Sequence, residues 1–221
     1  MDKNKFTIPQ AGSDEVGTGD TFGPVVVACA LIEDKDLELI KELNIKDSKE
    51  LIDDQIEIIA TKLINQIKYS YCVLSNTKYN EIHDKYNLNA IKAILHNEVY
   101  LKLESEYHLP KLCVVDAFCE EDKYYEYLES IDNIKKGLTF ETKAESKYPA
   151  VAAASIIARY YFVKEMNKLS KRYNIELAKG SSNPILKKQI RTIVDKYGKD
   201  ELNNVAKLHF KNVVELLKQV K

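Results

Sequence analysis

Residues 12 to 24 read Gly-Ser-Asp-Glu-Val-Gly-Thr-Gly-Asp-Thr-Phe-Gly-Pro and run straight into eight apolar residues, Val25 to Ile32. No other stretch constrains the fold as much. An unbroken apolar run of that length, rich in β-branched residues and bounded by turn residues, reads as a strand buried on both faces. Four of the seven glycines (Gly12, Gly17, Gly19 and Gly23) precede it, so the backbone there can bend sharply and let another chain come close. Residues 6–14 and 22–32 read together as an antiparallel pair of strands around this bend. Asp14 and Glu15 stand next to each other at its start.

The remainder of the chain supplies three more strands and a set of helices. Asp34 to Leu43 reads as a short helix and residues 45–51 as a polar loop. Asp53 opens an amphipathic helix with Ile56, Ile59, Ala60, Leu63 and Ile67 at helical spacing. Lys68 to Ser75 alternates as a strand. Residues 76–86 and 89–107 read as helices, the second stopped by Pro110. Leu112 to Asp116 is a short apolar run ending in one acid, the pattern of a buried parallel strand. A helix over 120–131 and a strand over 137–142 follow. Pro149 then suits the first turn of a long helix over 150–166, whose alanines suggest tight packing on a sheet. Residues 184–197 and 202–220 close the chain as helices. The expected fold is α/β: a mixed five-stranded sheet flanked by helices with a helical C-terminal extension, one domain over residues 1–221.

Net charge is −1, which by itself excludes no class of partner. Its distribution is uneven: residues 149–221 carry 15 basic and 6 acidic residues, and residues 1–148 carry 18 and 28. A basic C-terminal portion suits an anionic partner, although lysine-rich solvated helices would give the same count. Cys29, Cys72, Cys113 and Cys119 show no paired spacing and read as small hydrophobes in a reducing cytosol. No signal-type segment or membrane-length apolar run is present in the sequence. A cytoplasmic protein, with no membrane partner and monomeric, is expected.

Chemistry gathers at strand ends. Asp14 and Glu15 close the first strand, Asp116 closes the fourth, and Glu145 lies between the last strand and the alanine-rich helix. Rigid sheets fix such groups and loops expose them. Carboxylates that share a sheet edge repel one another unless cations sit between them. Hard oxygen ligands suit Mg²⁺ or Mn²⁺, and two such ions are a standard device for phosphodiester hydrolysis. Asp116 alone reads equally well as an ordinary strand-end acid.

The residues Gly12-Ser13-Asp14-Glu15-Val16-Gly17-Thr18-Gly19-Asp20, with Phe22-Gly23-Pro24, resemble the signature loop of bacterial ribonuclease HIII, a branch of the type 2 ribonucleases H. Its ribonuclease HII relatives carry Arg between the two glycines. Further segments match in order: Asp47-Ser48-Lys49, Leu74 to Glu81, Asn87-Leu88-Asn89, Leu95-His96-Asn97, Val115 to Phe118, Thr142 to Ser146, Val151 to Tyr160 and Ala206 to Asn212. The resemblance implies a ribonuclease H-like fold and an endonuclease that cuts the RNA strand of RNA–DNA hybrids. It implies two Mg²⁺ ions, with Mn²⁺ as a possible substitute, and 3′-hydroxyl and 5′-phosphate ends. By the same resemblance Asp14, Glu15, Asp116 and Glu145 are the metal-binding acids. The backbone of Gly17, Thr18 and Gly19 reads ribose 2′-hydroxyls. Ser48 and Lys49 touch phosphates, and Lys143 steadies the scissile phosphate or a carboxylate. Water is the family's attacking group, so no side-chain nucleophile is required. Only eleven residues precede Gly12, so the expectation is the catalytic domain without the family's usual N-terminal domain of the TATA-binding-protein type.

Other residues read more plainly. His83, His96, His108 and His209 look like surface or core residues, with at most a minor substrate-side role for His209. Arg159 suits either a phosphate or a structural acid. Asp20 suits a turn cap better than a fifth ligand. Two alternatives from other classes are a non-catalytic hybrid-binding module and an ATP-dependent phosphotransferase of the actin and sugar-kinase type. The second lacks a further phosphate loop in this sequence. The first is disfavoured because four carboxylates facing phosphate would weaken binding without metal.

Overall fold

The structure, a computed structural model, describes residues 7–45 and 51–219. Its strands are β1 (Gln10–Val16), β2 (Val25–Ile32), β3 (Lys68–Leu74), β4 (Cys113–Asp116) and β5 (Thr139–Glu141). They form one mixed sheet in the order β3-β2-β1-β4-β5. Helices are α1 (Leu37–Glu42), α2 (Asp53–Ile64), α3 (Asn76–His83), α4 (Leu88–Glu106), α5 (Glu121–Tyr127), α6 (Pro149–Tyr173), α7 (Leu186–Tyr197), α8 (Leu202–Val205) and α9 (Lys211–Gln219). The expected α/β architecture, five strands and helical C-terminal part are all present. No helix among the described residues is long and apolar enough to cross a membrane.

The chain divides into two compact units. One holds the described residues of 1–15, 27–72 and 87–160, and the other holds those of 16–26, 73–86 and 161–221. Most of the sheet belongs to the first. All eight residues of β2 are buried, as the unbroken apolar run requires. The run of β4 is likewise buried until Asp116, and β4 pairs in parallel with β1 on one side and with β5 on the other.

Helix α6 shows why the small residues are there. A Cβ at Gly12 would lie 2.5 Å from the Val151 nitrogen and 2.6 Å from its Cγ2. The helix therefore rests directly on the backbone of β1. Ala150, Val151, Ala153 and Ala154 are fully buried, and Val114, Ala144 and Val151 pack as one apolar cluster.

Several element lengths differ from the sequence-based expectation, two of them for a visible reason. Helix α5 stops at Tyr127, because the chain from Leu128 to Ile131 tightens into i→i+3 turns (Leu128 N to Tyr125 O, Ile131 N to Leu128 O). Helix α6 continues past 166 to Tyr173, with Asn174 left-handed just beyond its end (φ 51°). The four cysteines are free, two of them buried and two half-buried. Burial pushes every thiol upward, so these groups stay protonated and unreactive.

Candidate active site

Strand alternation distributes β1 between two helices of the first unit. Gly12 and Asp14 face α6: Val151 lies against Gly12, and Ser155, one helical turn further on, hydrogen-bonds Asp14. Ser13 and Glu15 face α4. His96 Nδ1 is 2.8 Å from Ser13 Oγ and its Nε2 is 3.0 Å from Glu15 Oε2. Lys92 Nζ donates to Glu15 Oε1 at 2.7 Å. A carboxylate can only accept, so His96 Nε2 carries a proton.

The parallel register brings a second acid to the first. Ser13 pairs with Val115, so Asp14 stands level with Asp116, about 5 Å away between neighbouring strands and on the same face. Asp116 Oδ1 accepts the Ala144 N–H at 2.8 Å, which ties the short 3-10 turn Ala144–Ser146 to the end of β4. Glu145 in that turn is buried, 8% exposed. The turn is entered through Lys143, whose backbone is left-handed (φ 54°) and whose side chain is exposed. A non-glycine residue adopts that conformation only where its surroundings impose it. A depression of about 420 Å³ is lined by residues that follow β4 and close β5, among them Ala117, Phe118, Cys119, Phe140 and Thr142.

Electrostatics follows from this placement. Asp14 is 7% exposed. Burial first, then the neighbouring Glu15, and to a smaller extent Asp116, push its carboxyl up to about 8, against the hydrogen bond from Ser155. Glu15 goes the other way. Burial alone would raise it, yet the hydrogen bond and charge of His96, followed by those of Lys92, hold it at about 2. Two adjacent carboxyls are thus pushed in opposite directions by their surroundings.

Of the residues expected from sequence, Asp14, Glu15 and Asp116 are brought into electrostatic contact, and Glu145 follows the residue that bonds Asp116. Among the described residues, no three His, Cys, Asp or Glu side chains are placed together so as to hold a metal ion; Glu15 is bonded by Lys92 and His96, and Asp116 Oδ1 accepts the Ala144 N–H. Ser48 and Lys49 lie outside the described residues. Gly17, Thr18 and Gly19 belong to the second unit, where the Asp20 N–H closes a turn on Gly17 O at 3.3 Å and Gly19 is exposed.

Lys92 and His96 are the functional residues that sequence reasoning missed, His96 having been read as ordinary surface or core. Both are buried on a helix whose other buried positions include Ile91, Ala93, Leu95 and Val99. Two polar groups at i and i+4 among apolar positions were the available signal. Lys92 also lies 4.0 Å from the Phe118 ring centroid. Replacing it by Met would leave Glu15 buried with one partner removed. Lys92→Met is expected to cost about 3 kcal/mol of stability, read as a lower midpoint in urea; an unchanged midpoint would remove its role as counter-ion. Arg159 resolves as a structural residue, bonding Leu51 O at 2.7 Å and Asp53 Oδ1 at 3.3 Å.

Comparison with known proteins shows the family. The family model described as Ribonuclease HII matches residues 11–213. Ribonuclease HIII of Bacillus cereus (strain ZK / E33L) is 40% identical over 232 residues, covering 100% of this chain and 74% of the relative. Bst-RNase HIII in complex with Mn²⁺ superposes with a TM-score of 0.93 at 37% identity, covering 99% of this chain and 72% of that one. The ribonuclease H2 from Pyrococcus horikoshii OT3 gives 0.80 at 26% identity, covering 96% and 98%. With the acids of β1 and β4 side by side and the match running through nearly the whole chain, the protein belongs to the ribonuclease HII family, among its ribonuclease HIII members, and is a ribonuclease H enzyme.

Proposed function

We propose that this enzyme hydrolyses the RNA strand of RNA–DNA hybrids with two divalent ions, Mg²⁺ or Mn²⁺, held by Asp14, Glu15, Asp116 and Glu145, and leaves 3′-hydroxyl and 5′-phosphate ends. The observation that carries this reading is the parallel register that sets Asp14 beside Asp116 at the ends of β1 and β4, where burial, then the charges of Glu15 and Asp116, raise the Asp14 carboxyl. Acids gathered this way are short of positive charge, and their hard oxygens fit Mg²⁺ or Mn²⁺. The Mn²⁺ complex of Bst-RNase HIII supports the same class of ion here. When bound, the ions would neutralise the acids and supply the positive charge that a phosphodiester displacement by water needs.

The chain's own residues would do the rest. Asp14 and Asp116 present oxygens from the same face of neighbouring strands, and Glu145 adds its own from the turn that Asp116 anchors. Lys92 and His96 orient Glu15 and keep it ionised. Lys143, exposed on its left-handed turn, would steady the scissile phosphate. The backbone of Gly17, Thr18 and Gly19 would read the ribose 2′-hydroxyl, the group that separates RNA from DNA. Ser48 and Lys49 would contact phosphates.

The test is cleavage of an end-labelled RNA–DNA hybrid with Mg²⁺, with Mn²⁺ and with a chelator, beside a DNA duplex of the same sequence. Cutting confined to the RNA strand, lost with chelator, and ligatable 5′-phosphate products are expected. Cleavage of both duplexes, or cleavage undiminished by chelator, would overturn the proposal.

A further inference from the structure

Within the second unit, the loop that follows the acids is fastened to a segment far along the chain. Phe22 bridges Ala206 in antiparallel fashion, Gly23 N–H donates to Val205 O at 3.0 Å, and Lys207 N–H donates to Thr21 O at 2.9 Å. The side chain of Lys207 completes the attachment. It is fully buried, and its ammonium donates to the main-chain oxygens of Asp20 at 2.9 Å and Gly23 at 2.6 Å. Asn76 donates to the same Gly23 oxygen at 2.8 Å, and the Tyr79 ring centroid lies 5.7 Å from the amine.

A buried lysine is usually drawn to a carboxylate. Here both hydrogen bonds go to backbone carbonyls, one of them on Asp20, the residue that closes the Gly17-Thr18-Gly19-Asp20 turn. We propose that Lys207 is a positioning residue for that turn, fixing the carbonyls of Asp20 and Gly23 so that the Gly17–Gly19 backbone is set for the ribose of the RNA strand. The inference rests on the function proposed above and adds the residue that shapes its RNA-reading element.

Packing alone does not account for an amine at this position. Burial drives Lys207 down to about 7, with Asp20 opposing the shift, so holding the charged group there works against folding. A methionine would fill similar space without that cost. What it would lack is the pair of donors.

The experiment compares wild type with Lys207→Met and Lys207→Gln, which shortens the side chain but restores one donor group. Steady-state cleavage of an RNA–DNA hybrid is measured together with Mn²⁺ affinity by electron paramagnetic resonance and with thermal melting. The expected result for Lys207→Met is a KM for hybrid raised about tenfold with kcat at saturation within about threefold, Lys207→Gln falling between. Mn²⁺ affinity should stay within about twofold, since both Lys207 hydrogen bonds go to main-chain oxygens of Asp20 and Gly23 and not to the acids. Gly19→Ala combined with Lys207→Met should lose less than the two single losses added, as residues acting through one element do. An unchanged KM, strictly additive losses, or failure of both Lys207 variants to fold would overturn the assignment. A wild-type protein that leaves hybrids uncut would overturn the function itself, a result distinguishable because it needs no variant.

Discussion

Asp116→Asn is expected to lower hybrid cleavage by about 10³-fold while leaving the fold intact. Asparagine keeps a carbonyl oxygen for the Ala144 N–H that Asp116 Oδ1 accepts, so the turn carrying Glu145 stays anchored and only the charge is lost. The same variant should be the more stable protein when metal is chelated. The sign follows from Asp14, whose folded pKa of about 8 lies above its ordinary 3.8. The native state holds a proton that the unfolded chain gives up, so this contribution is complete below pH 3.8 and is lost as pH rises towards 8. Removing the Asp116 charge lowers that rise, so the variant should melt above wild type at pH 8. Near pH 4 the two proteins should melt together. Glu15, held at about 2, contributes stability above its ordinary 4.5 that disappears as pH falls towards 2. Melting curves in chelator at pH 4 and pH 8, with turnover in Mg²⁺, check both halves. Wild-type turnover would remove Asp116 from the catalytic set.

The second large effect is a contrast between two glycines of one turn. Gly17 has φ +97°, and a Cβ there would sit 2.2 Å from Pro24 O and 3.0 Å from two Phe162 ring atoms. Gly17→Ala therefore combines a backbone conformation that alanine avoids with a collision against main chain, and about 3 kcal/mol or more should be lost. Around Gly19 a Cβ would meet nothing within 4 Å. Gly19→Ala should melt like wild type, yet its methyl group would stand where a sugar-phosphate backbone has to approach, and KM for hybrid should rise about tenfold. Calorimetry and steady-state kinetics on the pair separate the roles. A Gly19→Ala enzyme with unaltered KM would take the ribose contact away from this residue.

Much of this was legible from the residues alone. The buried strands announced themselves as apolar runs bounded by turn residues, and the strand-end acids were visible because Asp116 closes such a run. What stayed hidden was non-local. Which face of β1 each acid takes depends on where α4 and α6 pack, and no spacing within residues 10–16 reveals it. Lys92 and His96 gained their role only when tertiary packing laid α4 against Glu15. Asp20 suits a turn cap from sequence, with nothing to say which backbone it caps. Its carboxylate accepts the N–H of Gly180, 160 residues away, at 2.6 Å. His209, given at most a minor part, sits 4.0 Å from the His83 ring and is pushed down to about 4 by burial first and His83 next, so it stays neutral as a packing group.

The two-sided seating of β1 makes neighbouring acids answerable to different helices. A repacking of α6 is felt first at Asp14, through Gly12 and Ser155, whereas a repacking of α4 is felt first at Glu15, through Lys92 and His96. Adjacent in the chain, the two acids are seated on different helices, although their charges still act on each other. Directed changes to either helix would then enter the pair through a different acid, and the Glu15 charge would carry part of any change on to Asp14.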